Sequence, residues 1–217
     1  MYFTNRADAG RQLAEQLQQY RYENSVVVAL SEGSVLVGEV IAAALHCILT
    51  LLLAEDVNVP GEPMAIGSVD QNGGFSYNSD LSSGEVDEYQ SEFFNYIEGQ
   101  KLERFHHLNQ LLGDGGVIDR SLLLDQNVIL VSDGLKGGAI LDAAANFLKP
   151  IRMHKLIIAT PLASVKAVDR MHIMADELHV LSVTDNYLDT NHYYDDNVIP
   201  GRDEILAKIR QIILNWH

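Results

Sequence analysis

The sequence predicts an α/β protein: a mainly parallel, doubly wound sheet flanked by helices, with a small hood or insertion over about residues 58–115. Three observations lead there. Two runs, Val26–Leu30 and Val128–Val131, are continuously apolar and rich in β-branched residues, the pattern of a strand covered on both faces. Such runs alternate along the chain with helical periodicity, as βα units do. The 217 residues, 47% hydrophobic and 21% charged, suffice for one large core, so residues 1–217 are read as a single domain.

The elements follow in order. Leu13 and Leu17, four apart, place an amphipathic helix from Arg6 to about Tyr20, with Asn5 or Thr4 as N-cap. The Val26–Leu30 strand runs into a turn at Ser31-Glu32-Gly33-Ser34, a helix over Val35–His46 and a second buried strand at Ile48–Leu53. Met64–Val69 and Gly74–Tyr77 read as meander strands around Gln71-Asn72-Gly73-Gly74, since Asn-Gly is a strong hairpin signal. A long helix covers Val86–Leu112, with a break placed near Gly99. Beyond the Val128–Val131 strand lie a glycine-rich turn, Ser132–Gly138, and a helix from Ala139 to Leu148 ended by Pro150. A strand at His154–Thr160, a helix at Ser164–Met171, a strand at Glu177–Ser182 and a helix at Glu204–Trp216 complete the pattern.

Composition removes whole classes of function. The formal net charge is −15, and the longest basic grouping, Lys101 to Arg104, contains Glu103. No cluster suited to a nucleic-acid backbone is present. A small phosphorylated ligand stays compatible, because backbone amides can bind it inside an acidic protein. The longest apolar runs, Val26–Leu30 and His46–Ala54, are too short to span a bilayer, and the first residues lack a signal-peptide pattern. Cys47 is the single cysteine, which excludes an intrachain disulfide and a cysteine metal cluster. The expectation is a cytoplasmic protein without membrane or nucleic-acid partners.

In open α/β sheets, ligands bind outside the carboxyl ends of strands. Two loops qualify: Ser31-Glu32-Gly33-Ser34, and Ser132-Asp133-Gly134-Leu135-Lys136-Gly137-Gly138 leading into Ala139. Glycine there lets backbone N–H groups and a helix N-terminus face an anion, although tight connections also need glycine for their own sake.

The order of segments is specific. An opening helix with Phe3, Arg6, Ala9, Gly10, Leu13 and Ala14 precedes a buried strand. Later come Pro60, Ala65, Ile66 and Gly67, and then Asp133, Gly134, Leu135, Gly138 and Ala139. This arrangement, spanning Phe3 to about Ile205, resembles the type I phosphoribosyltransferases, in particular a bacterial branch with an N-terminal Arg-x-x-Ala-Gly helix. The resemblance implies transfer of phosphoribosyl from phosphoribosyl pyrophosphate (PRPP) to a nucleobase-like acceptor, with Mg²⁺ as cofactor if active, and a homo-oligomer. It assigns Ser132–Ala139 to the phosphoribosyl loop and Ser31–Ser34 to the pyrophosphate loop. Apolar residues around Phe93, Phe94 and Phe105 are candidates for either a dimer face or internal packing.

Against that pattern the chain departs where charge matters. The adjacent acids of the phosphoribosyl motif are Ser132-Asp133, and the hydroxyl donors that end its loop are replaced by Gly137-Gly138-Ala139-Ile140, with Lys136 as a compensating cation. Glu32 stands where the branch carries arginine, and Glu55-Asp56 where it carries Arg-Lys. A unit charge pair at about 5 Å and dielectric about 20 is worth roughly 3 kcal/mol. Each reversal therefore changes an interaction by roughly 6 kcal/mol before screening.

Two readings remain open. One is a divergent phosphoribosyltransferase using Asp133, Gly134, Lys136, Gly137 and Gly138 on the 5-phosphate, with Glu32 and Gly33 near pyrophosphate. The other, which the charge arithmetic favours, is a non-catalytic relative that assembles or binds another ligand. Its acidic cleft of Glu32, Asp56 and Asp133 would suit cations or a basic partner segment. Among the remaining titratable groups, Asp142 reads as a solvated helix residue and Cys47 as a core thiol. His106-His107 do not share a helical face, and His192–Asp196 has no second ligand motif, so no metal site is expected.

Overall fold

The computed structural model describes residues 2–62, 64–112 and 119–215. They form two compact units: residues 1–51, 118–137 and 151–217, and residues 52–117 with 138–150. The expected insertion at 58–115 falls within the second unit; its last residues, and Trp216 of the expected closing helix, lie outside the described residues.

The first unit is built on five parallel strands: β1 (Ser25–Ala29), β2 (Ile48–Leu51), β6 (Asn127–Val131), β7 (Lys155–Ser164) and β8 (Glu177–Thr184). Their spatial order is β2-β1-β6-β7-β8. β1 and β6 are buried at every position, which is why their sequences show no alternation. β1 pairs with β2 on one side and β6 on the other, with Val27 opposite Leu49 and Ile129. The chain thus leaves β1 first to one side and later to the other. That reversal point is where an open α/β sheet offers its crevice, and both predicted loops leave from it.

Helices cover this sheet. α1 (Arg6–Gln16) is capped by Asn5, whose side chain accepts from the Asp8 amide. It packs on β7, β8 and α2 (Glu32–Leu45). α5 (Val165–Met174) lies on β7 and β8, and α6 (Arg202–Arg210) on α2. Gly10 sets the α1–α2 approach: a Cβ there would stand 2.8 Å from the Val37 carbonyl oxygen and 3.0 Å from the Val40 Cβ. Gly10→Ala gains about 1 kcal/mol of helix propensity but loses about 1–3 kcal/mol to overpacking. We expect net destabilisation in urea unfolding, contrary to what a solvent-facing helical glycine would give; a stabilised variant would contradict the close approach.

Just beyond α1, Tyr20 and Lys155 both donate to the Glu177 carboxylate, at 2.5 and 2.8 Å. Burial alone would raise the Glu177 carboxyl, but hydrogen bonds from Lys155, Tyr20 and His179 outweigh it and bring it down to about 2. Cys47 is buried and its thiol is pushed up to about 12 by desolvation, as expected for a core thiol.

The second unit holds an antiparallel sheet of β3 (Ala54–Val57), β4 (Gly67–Asp70) and β5 (Phe75–Tyr77). α3 (Ser83–Leu112) packs on β3 and β4, and α4 (Ala139–Leu148) on all three strands. The Asn-Gly turn forms as read: Gly73 has φ +81°, and the Asp70 carboxylate accepts from the amides of Asn72 and Gly74.

Several sequence readings are corrected here. β3 is absent from the sequence reading, because Glu55-Asp56 interrupt its apolar pattern. α3 starts at Ser83 through a capping box: Ser82 N and Oγ donate to the Glu85 carboxylate while the Glu85 amide donates to Ser82 Oγ. Its non-helical residue is Phe93 (φ −114°, ψ 19°), not Gly99. Asp142 is buried, not solvated, and accepts from the Ser79 amide at 2.9 Å. Of the three phenylalanines, Phe94 is exposed while Phe93 and Phe105 are half-buried.

Candidate functional site

The Ser31–Ser34 segment is the cap and first turn of α2 rather than a free loop. Ser31 is extended and its Oγ accepts from the Ser34 amide at 3.0 Å. Glu32 sits in that first turn, where a negative charge meets the positive end of the helix dipole. Across from it, the segment after β6 folds Asp133 onto this helix end. Ser31 and Ser34 hydroxyls both donate to Asp133 Oδ1, at 2.9 and 3.0 Å, and the Asp133 amide donates back to Ser34 Oγ at 3.1 Å. Gly33 makes the approach possible, since a Cβ there would fall 2.2 Å from Asp133 Oδ2.

The second carboxylate oxygen is also taken. Arg6 Nε donates to Asp133 Oδ2 at 2.7 Å, and the arginine side chain is 2% exposed. Its Nη2 reaches Asn191 Oδ1 at 2.7 Å and its Nη1 the Asn197 carbonyl at 3.3 Å. The Tyr194 ring lies 4.6 Å from the guanidinium carbon, and Tyr194 Oη donates to the Asp133 carbonyl at 2.6 Å. Burial, and then the Asp133 charge, raise the Tyr194 hydroxyl far above its ordinary range, against a lowering by Arg6. A buried, charge-assisted bond whose two ends are also held by Ser31, Ser34, Asn191 and the Asn197 carbonyl makes this a fixed structural joint.

The rest of the glycine-rich segment is partly engaged as well. The Gly134 amide donates to Ser132 Oγ (3.2 Å) and the Leu135 amide to the Leu162 carbonyl (2.9 Å). Tyr187, hydrogen-bonded to Thr190 at 2.8 Å, crowds Gly134 so closely that a Cβ would stand 2.2 Å from its hydroxyl. Lys136 is exposed, Gly137 has no neighbour against its Cβ position, and α4 begins at Gly138 without a side-chain cap.

A family model described as "Phosphoribosyl transferase domain" matches residues 2–197. The chain belongs to that family. Two Mycobacterium tuberculosis proteins, named "Putative phosphoribosyl transferase" in strains H37Rv and CDC 1551, are 27% identical over 206 residues. The alignments cover 94% of this chain but 46% of each relative, so the chain spans about half the length of the curated relatives it matches. Among solved structures, TT1426 from Thermus thermophilus is 27% identical with a TM-score of 0.74, covering 100% of this chain and 99% of that one.

Within this phosphoribosyl transferase fold, the sequence-predicted residues divide. Ser31, Ser34 and Asp133 come together, with Glu32 and Gly33 in the same helical turn. Ser132 and Gly134 form an internally bonded bend, and Leu135 is tied to β7 through Leu162 and Ser164. Asp56 is on β3 of the other unit and accepts from Ser68 Oγ at 2.8 Å. Glu55 is paired with Arg104 and His107. The expected acidic cleft of Glu32, Asp56 and Asp133 is thus corrected at Asp133, whose charge is met by Arg6. Mg²⁺ is usually held by one or two carboxylates together with substrate phosphates and water; at this end of α2 both oxygens of Asp133 already accept hydrogen bonds from Arg6, Ser31 and Ser34. Among the described residues, no three His, Cys, Asp or Glu are placed to hold a metal. His192 and Tyr193 belong instead to a 3-10 turn capped by Asp189. No helix of the described residues is long and apolar enough to cross a membrane.

Tyr187 and Asn191 are site residues that the sequence alone does not single out, and Tyr194 is noticed there only within the His192–Asp196 run. Arg6 is visible within Arg-x-x-Ala-Gly, but its partners lie 127 and 185 positions away, beyond any local pattern.

Proposed function

We propose that this protein is a non-catalytic phosphoribosyl transferase-like protein whose PRPP site has been converted into a structural joint. The observation that carries this reading is Asp133. It is the remaining acid of the ribose-binding pair, and it is held by Arg6, Ser31 and Ser34 at the end of α2. A ribose hydroxyl or a pyrophosphate oxygen would have to displace a buried ion pair, which costs about 3–5 kcal/mol when one partner is removed. Charge repulsion supports the reading less than occupancy does, because Arg6 cancels Asp133. Glu32 adds a negative charge beside the same helix end.

A second reading, a divergent active transferase, draws on the other loop. Lys136 is exposed and α4 opens without a side-chain cap, so its terminal amides suit the phosphate of a sugar ester. Titration calorimetry with PRPP and Mg²⁺, beside ribose 5-phosphate alone, separates the two. The expected result is no saturable PRPP binding tighter than about 1 mM, a binding free energy of about −4 kcal/mol. Micromolar PRPP binding abolished by Lys136→Glu, or pyrophosphate release with any nucleobase, would overturn the proposal in favour of the active enzyme.

A further inference from the structure

At the opposite end of the five-stranded sheet, where β1 and β2 begin, lies a cavity of about 370 Å³. We propose that it is a binding site for an uncharged, planar heterocycle with ring N–H donors, a nucleobase or its nucleoside.

Ser25 provides the first ground. It opens β1, is 6% exposed, and its Oγ has no hydrogen-bond partner among the described residues. The rest of β1 is Val-Val-Val-Ala, and valine would fill the Ser25 position without that defect. An unsatisfied buried hydroxyl costs about 1–3 kcal/mol. Ser25 lines the cavity, so a ligand there can supply the missing partner.

The second ground is the chemistry of the walls. Asn24, Ser121 and Gln126 contribute amides and a hydroxyl, and Glu23 a carboxylate, over a floor of Val26, Cys47 and Ile48. None of the lining residues is Lys or Arg, which disfavours phosphates and other anions. The volume sits at the small end for ligand pockets, about 300–1,000 Å³. Mixed donors and acceptors above an apolar floor suit a flat heterocycle, and the carboxylate selects one that offers N–H groups.

The third ground is the rim. Tyr22 is 71% exposed, in ring contact with His46 at 4.9 Å, and has the Arg21 guanidinium carbon 5.1 Å from its ring centre. His46 lines the cavity. The non-glycine residues with positive φ among those described are Tyr22, His46 and Asp125, and each either lines the cavity or is the chain neighbour of a residue that does. His46 caps α2 in this conformation and Asp tolerates it, but an exposed tyrosine held there is unusual. Strain of this kind persists where the surroundings over-determine it. The result is an aromatic platform beside a polar pocket, and base–aromatic stacking is worth about 1–3 kcal/mol.

Saturation-transfer NMR on the full chain with adenosine, guanosine, uridine, guanosine 5′-monophosphate and glucose tests this. We expect transfer to at least one nucleoside with Kd no weaker than about 1 mM, less to the nucleotide, and none to glucose. Ser25→Val, which fills the cavity and removes the hydroxyl, is expected to weaken binding at least about fivefold, as loss of one hydrogen bond would. Gln126→Ala, half-buried at the cavity edge, is expected to do the same and carries the test should Ser25→Val fail to fold. No transfer to any nucleoside at several times about 1 mM overturns the proposal. So does binding that survives both variants but is lost in Lys136→Glu, which would place the nucleoside at the loop after β6. Absence of transfer leaves the reading of the PRPP site untouched, since calorimetry with PRPP tests that separately, whereas a nucleoside held at the loop after β6 would count against both readings.

Discussion

Arg6→Ala is expected to lower the unfolding free energy by about 3–5 kcal/mol, the cost of leaving a buried charge without its partner. The side chain is 2% exposed, and its guanidinium bonds to Asp133, Asn191 and the Asn197 carbonyl. Alanine strands the Asp133 carboxylate beside Ser31 and Ser34 and removes the cation beneath the Tyr194 ring. Arg6→Lys keeps the charge but not the planar fork, so it should recover only part of the loss. A paired Arg6→Met, Asp133→Leu variant removes both charges and should lie well above Arg6→Ala in stability. Urea unfolding of the four proteins checks the order. A loss below about 1 kcal/mol for Arg6→Ala is what an exposed ion pair gives, and it would contradict the buried joint.

Gly33→Ala is the second large effect, and its sign is the informative part. In a solvent-facing helical turn, alanine is worth about 1 kcal/mol over glycine. Here the added carbon would stand 2.2 Å from Asp133 Oδ2, 3.0 Å from its Cγ and 2.8 Å from Arg6 Nε. None of these atoms can retreat cheaply, because each is fixed by its hydrogen bonds to the others. The helix end and the carboxylate must separate, losing the two serine bonds at about 1–3 kcal/mol each. We expect net destabilisation of about 2–4 kcal/mol, within the usual span for overpacking plus a broken buried network. Thermal unfolding followed by circular dichroism measures it, and a neutral or stabilised Gly33→Ala would show that Asp133 does not rest against α2.

Legibility follows the range of the interaction. The apolar runs at Val26–Leu30 and Val128–Val131 disclose the parallel strands because burial on both faces leaves its mark within five residues. The Asn-Gly turn is equally local. Both loops at the reversal point are found because strand-to-helix turns carry glycine in the sequence itself. What escapes depends on distance or on mixed signals. β3 hides behind Glu55-Asp56, whose partners are Arg104 and His107 for Glu55 and Ser68 for Asp56. Asp142 looks like a surface acid, since nothing beside it in sequence announces the Ser79 amide. The meaning of Asp133 changes most. By type and position it is a ligand-binding acid; its neutralising partner enters from α1 and is invisible at that separation.

That separation governs how the chain can mature. Phe3 pairs with Tyr193 and Asp195 through backbone bonds, and Arg6 waits for Asn191 and Asn197. During synthesis the first helix therefore emerges long before its anchors exist, and most of the chain must be made while a cationic side chain destined for the interior stays in water. Non-local closure of this kind slows folding. The bonds of Phe3 and Arg6 to the Asn191–Asn197 stretch should therefore be among the last to form, after α1 has already packed on α2.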